Sequence, residues 1–146
     1  MGTPQKKSPV KKTKASKKKS RPFLRRSLKS VSTNQTGLDT DYSCKDTDED
    51  ITLFATVTGQ VIAGDKNYSI DGGEWESVND TAVIIGSNRG LKGKMLTLIC
   101  SVSGTENKPC ILSITIDGGV KKKIYDLSTT VGSSTVVDFF ANIHFM

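Results

Sequence analysis

From Asp50 to the C-terminus apolar side chains recur at every second position, and no stretch carries the spacing of an amphipathic helix. Ile51, Leu53, Ala55 and Val57 alternate with Thr52, Phe54, Thr56 and Thr58. Successive residues of a strand point to opposite faces, so this pattern predicts a strand with one face buried. Shorter candidates follow at Val61–Ala63, Tyr68–Asp71, Trp75–Val78 and Ala82–Gly86. The turn signals between them are Ala63-Gly64-Asp65, Asp71-Gly72-Gly73 and Ser87-Asn88-Arg89-Gly90.

Met95–Ser103 and Cys110–Asp117 read as the two strands of a hairpin closed by Gly104–Pro109. Leu96, Leu98, Cys100 and Val102 share one face of the first, and Cys110, Leu112, Ile114 and Ile116 one face of the second. If both sets face the core, the antiparallel register pairs even positions with even ones. After the tight turn Asp117-Gly118-Gly119 comes Val120–Leu127, whose Lys121-Lys122-Lys123 run marks an exposed edge. In the last strand, Thr135–Phe145, one face collects Val137, Phe139, Ala141, Ile143 and Phe145. The other collects Val136, Asp138, Phe140, Asn142 and His144. With no helix expected between residues 50 and 146, this is an all-β chain. The expectation is a single antiparallel β-sandwich, jelly-roll-like or immunoglobulin-like, its topology left open.

The residues before this body have a different chemistry. Up to Gly37 there is no Asp or Glu, and residues 1–30 hold twelve cations: Lys6, Lys7, Lys11, Lys12, Lys14, Lys17, Lys18, Lys19, Arg21, Arg25, Arg26 and Lys29. Such a segment buries too little apolar surface to offset the entropy of ordering, so residues 1–33 are expected to be a basic arm, disordered or ordered on binding. The net charge of +6 conceals a +12 arm on a body with nine basic and fifteen acidic side chains. The arm is thus the main electrostatic steering element. Within it Ser20 is an N-cap candidate, and Leu24, Leu28 and Val31 fall at i, i+4 and i+7. About ten residues are too few for a stable isolated helix, so this face would form on docking to a partner. Residues 34–50 reverse the charge and read as an acidic linker, which could also hold the arm's lysines in the free protein. Residues 51–146 form the sandwich domain, enough for one core and not two.

The spacing Asp46-x-Asp48-x-Asp50 invites a calcium loop, but Ile51 stands where that loop needs glycine and Val57 where it needs a carboxylate. His144, third from the end, has no neighbouring nucleophile in sequence and reads as an exposed imidazole without a role. Cys44, Cys100 and Cys110 lack the short ligand spacing of zinc sites, and free cysteine is commonly a core residue. Setting Cys100 opposite Cys110 would place Lys108 on the core face and Pro109 in the ladder. The registers pairing Cys100 with Leu112 or Ile114 therefore rank above it. They separate the two cysteines by about 7–8 Å or more, too far for a disulfide. Trp75 and Tyr68 could form a carbohydrate platform, a reading that leaves the arm without a purpose. No enzyme activity, cofactor or metal is expected. No apolar run of a secretory signal follows the basic N-terminus, and no window approaches the roughly 20 apolar residues of a membrane span. The expected location is a virion or the cell interior, cytoplasmic or nuclear, with no membrane partner.

Base-specific readout needs a positioned element in a groove or stacking aromatics, and the arm offers only Phe23. It should therefore neutralise phosphates without choosing a sequence. Ser8-Pro9-Val10-Lys11 resembles the Ser/Thr-Pro-x-Lys units of linker-histone tails. The whole layout, a Lys6–Lys29 arm on strands running from Ile51 to Phe145, resembles the small coat proteins of icosahedral viruses. That resemblance implies a virion protein, whether coat, minor capsid or decoration, whose sandwich assembles with other subunits. It departs from the usual pattern in being lysine-rich rather than arginine-rich and in its small body. The alternatives are a ribosomal or ribonucleoprotein component and a chromatin-associated interaction module. Replacing Leu24 and Leu28 by Ser should weaken assembly, measured by native mass spectrometry, while the body stays folded. Unchanged assembly would mean that this apolar face docks nothing.

Overall fold

The alternating stretches form strands divided between two sheets in the computed structural model, which describes residues 36–79, 81–104, 106–132 and 135–146. In chain order these are β1 (Gly37–Tyr42), β2 (Asp50–Gly59), β3 (Ile62–Ile70), β4 (Glu76–Ser77), β5 (Val83–Ser87), β6 (Met95–Ser103), β7 (Lys108–Asp117), β8 (Lys123–Val131) and β9 (Val136–Phe145). One turn of helix, α1 (Asn88–Leu91), follows β5. The five-stranded sheet has the order β1-β9-β6-β3-β4 and the four-stranded sheet the order β5-β2-β7-β8. The protein is all-β, and the sheets pack face to face.

Between them lies the core. Ile51, Leu53, Ala55, Leu112, Ile114, Ile116, Leu127 and Val131 enter from the smaller sheet. Leu96, Leu98, Val102, Phe139, Ala141, Ile143 and Phe145 meet them from the larger one, all at 1% exposure or less. Full burial of each large member is worth about 1.5–3 kcal/mol, so these two rows dominate the stability of the body. β9 turns its faces as its alternation predicts. β8 lies at a sheet edge with Lys121, Lys122 and Lys123 exposed, which also agrees with the sequence.

Four features depart from the sequence reading. β6 and β7 are not a hairpin: β6 pairs with β3 and β9, and β7 with β2 and β8. The chain crosses from one sheet to the other between them. Both arrangements put the even-numbered side chains inside, so alternation alone could not separate them. The even–even register falls with the hairpin. Pro109 does lie in a ladder, opposite Thr130 of β8, beyond the last pairing of β7 with β2 at Cys110. Secondly, Val61–Ala63 and Tyr68–Asp71 belong mostly to one strand, β3, and Ala63-Gly64-Asp65 is a shift of register against β6 rather than a turn. Glycine in a strand accommodates such a bulge. Thirdly, Ser87-Asn88-Arg89-Gly90 opens a helical turn whose Ser87 hydroxyl accepts from the Gly90 N–H at 3.0 Å. Four residues are too few to show a helical period. Lastly, β1 lies inside the segment read as a linker and pairs parallel with β9, from Gly37 opposite Phe140 to Tyr42 opposite Phe145. The sheet is therefore mixed. Aspartates on its outward side concealed the alternation of Leu38, Thr40 and Tyr42.

Cys100 and Cys110 are free thiols facing the core from opposite sheets, and Cys44 is a third buried thiol. Burial pushes all three up from the ordinary thiol range, which removes the reactive thiolate. In the native protein they should resist alkylation at mildly alkaline pH and react together once denaturant is added. Rapid native labelling of Cys100 or Cys110, followed by mass mapping, would contradict the packing described above.

Candidate functional site

The arm cations Lys6, Lys7, Lys11, Lys12, Lys14, Lys17, Lys18, Lys19, Arg21, Arg25, Arg26 and Lys29 lie outside the described residues, as do Leu24, Leu28 and Val31. What can be built from the residues upward is the body's surface, beginning with β1. Thr36, just before β1, accepts a hydrogen bond through its carbonyl from the Phe140 N–H at 2.8 Å. At the far end of the strand, Tyr42 turns into the core and stacks edge-on against Phe145, ring centres 6.0 Å apart. Its hydroxyl accepts from the Gly119 N–H at 2.9 Å. Gly118 has φ +104°, and a Cβ on Gly119 would strike the Tyr42 ring and the Ser43 carbonyl, so the glycine pair is required where this end closes.

Two further contacts fasten β1. The Tyr125 hydroxyl donates to the Asp41 carbonyl at 3.3 Å, joining an edge of the smaller sheet to an edge of the larger. The Nε2 of His144 lies 2.8 Å from a carboxylate oxygen of Asp39. The histidine thus has a partner on the adjacent strand, which its place near the C-terminus did not suggest. Burial pushes the Tyr42 and Tyr125 phenols up, which keeps both neutral as hydrogen-bonding groups.

The acidic run after β1 is folded onto α1. Lys45 pairs with Glu49 at 2.7 Å, Arg89 with Asp48 at 2.8 Å, and Lys92 with Asp46. The Lys92 ammonium, hydrogen-bonded to Asp46, holds that carboxyl below the usual range. These exposed pairs are screened by solvent and add little to stability. The stronger anchor is Asn88, which is completely buried. Its side-chain oxygen accepts from the Lys45 N–H at 2.8 Å, and its amide donates to the carbonyls of Glu49 at 2.8 Å and Gly118 at 2.9 Å. One side chain therefore ties the acidic segment, the helical turn and the β7–β8 turn together. Sequence reasoning took Asn88 for an ordinary turn residue, and only its three distant partners distinguish it.

With Asp46 and Asp48 directed at bases, the calcium spacing does not converge. Among the described residues no group of His, Cys, Asp and Glu could hold a metal ion. Trp75 is 53% exposed while Tyr68 is 5% exposed, so they share no platform. Lys121, Lys122 and Lys123 remain exposed cations with no ion pair to a described residue. No helix among the described residues is long and apolar enough to cross a membrane. Comparison with protein-family models, curated proteins and solved structures finds no match to this chain.

Asn88→Ala should destabilise the body by about 2–4 kcal/mol, because it leaves buried backbone groups unsatisfied. Urea unfolding checks this, and Arg89→Ala, which removes only an exposed pair and one exposed hydrogen bond, should shift the midpoint far less.

Proposed function

We propose that this is a non-enzymatic structural and assembly protein of a virion, as a coat, minor capsid or decoration subunit. In this reading the two-sheet body packs against other subunits, and the arm contacts nucleic acid through its phosphates without sequence specificity. The observation that carries it is charge segregation: twelve cations and no carboxylate within residues 1–30, ahead of a body whose own balance is −6. An acidic body repels a polyanion, so electrostatic contact is confined to the arm and leaves the body free for protein contacts.

The body's outer faces support the second half of the reading. Val136 and Ile62, 68% and 66% exposed, flank Ser103 across three strands, and Phe140 lies further along the same face of β9, beyond Asp138. Ile84 and Ile124 stand on the smaller sheet, 63% and 61% exposed. Apolar side chains exposed on both outer sheet faces suit packing against another subunit.

Nucleic-acid binding should depend on residues 1–30 and weaken steeply with salt. If about six phosphates are neutralised, the log–log slope should be roughly −4 to −5.5. Fluorescence anisotropy with duplex and single-stranded probes of unrelated sequence, on the full chain and on a variant lacking residues 1–30, measures it. Binding that survives the deletion, or that ignores salt, would overturn the proposal.

A further inference from the structure

β5 is much shorter than the strand it flanks. It pairs with β2 only from Asp50 to Leu53, while β7 pairs with the other side of β2 as far as Gly59. On the β5 side, the edge of β2 from Phe54 to Gly59 therefore meets no strand among the described residues. A groove of ≈ 250 Å³ opens at this place, lined by Phe54, Ala55, Thr56, Val57 and, from the larger sheet, Lys66. Phe54 and Thr56 belong to the outer face of β2 and Ala55 to the inner one, so the groove follows the backbone edge rather than either face.

Three of the four terminal strands are guarded by charge or brevity, and the fourth, β5, is uncharged but only five residues long. β8 is preceded by three exposed lysines, β1 carries Asp39 and Asp41, and β4 has only two residues. Charge and brevity are the usual protections against unwanted strand pairing. The free run of β2, Phe54-Ala55-Thr56-Val57-Thr58, has neither charge nor proline, and its composition favours strands. Five residues at about 3.3 Å each would give an added strand some 17 Å of ladder.

Lys66 supplies the remaining requirement. It is half-buried and has no ion pair to a described residue. Its backbone is fixed in place: its N–H donates to the Asn79 side chain at 3.2 Å and its carbonyl accepts from the Val78 N–H at 2.8 Å. A lysine whose backbone is held beside an open ladder favours a carboxylate there and repels a lysine-rich strand. We propose that this edge is a docking site for an extended segment of a partner protein, which adds as a strand to β2 and presents a carboxylate to Lys66. Backbone hydrogen bonds would supply the attachment and the lysine the selectivity. This goes beyond the proposed function and does not depend on the arm.

The test is an amide NMR titration of the full chain with the capped peptide Thr-Val-Thr-Glu-Thr-Val-Thr and with versions carrying Gln or Lys in place of Glu. The expected result is saturable shifts centred on Phe54–Thr58, a loss of about tenfold in affinity for the Gln peptide, the weight of one charge-assisted hydrogen bond, and no binding of the Lys peptide. Lys66→Glu should reverse the preference between the Glu and Lys peptides, and the milder Lys66→Gln should abolish the discrimination. No saturable shift at this edge at millimolar peptide, or equal affinity for all three peptides, would overturn the proposal.

Discussion

The inner rows of β6 and β9 can be buried only by a second apolar surface, and β2 with β7 provides it. Much of the rest follows from that contact. The chain leaves β6 for the opposite sheet because its next apolar row, Cys110 to Ile116, is needed there. Cys100 and Cys110 become core residues facing one another instead of cross-strand neighbours. Both ends of this core need closing, and at one of them Tyr42, the Gly118-Gly119 pair and Asn88 do so by hydrogen-bonding backbone groups that would otherwise be buried without partners.

What was legible in the sequence was the face of each strand, because side-chain direction is a local property with period two. The buried sets of β2, β6, β7 and β9 could be named residue by residue, and the Lys121–Lys123 edge could be placed. Strand partners were not legible. Whether β6 pairs with β7 or packs across from it changes no face, so the information lies in long-range contacts that alternation does not encode. β1 was missed for a different reason. Its outward positions are Asp39 and Asp41, and acidic composition weighed more heavily than the Leu38, Thr40, Tyr42 pattern beneath it. The roles of Asn88 and His144 were equally invisible, since each depends on residues thirty or more positions away.

The separation of charge gives the two parts of the chain different solution chemistry. On the body, the carboxylates nearest α1 are already matched by Lys45, Arg89 and Lys92, so acidic excess is not concentrated there as the sequence suggests. Asp39 is likewise engaged, by His144. The net −6 is therefore spread over a surface whose apolar outer patches stay accessible.

The parallel pairing of β1 with β9 has a mechanical consequence. The body's first and last strands lie side by side and run the same way, so Gly37 and Phe145 sit at opposite ends of the pair. A pull between those two points loads the whole β1–β9 ladder in shear, and its hydrogen bonds must fail together rather than peel open singly. Tension delivered along the chain through residue 36 would meet the stiffest direction this sheet possesses.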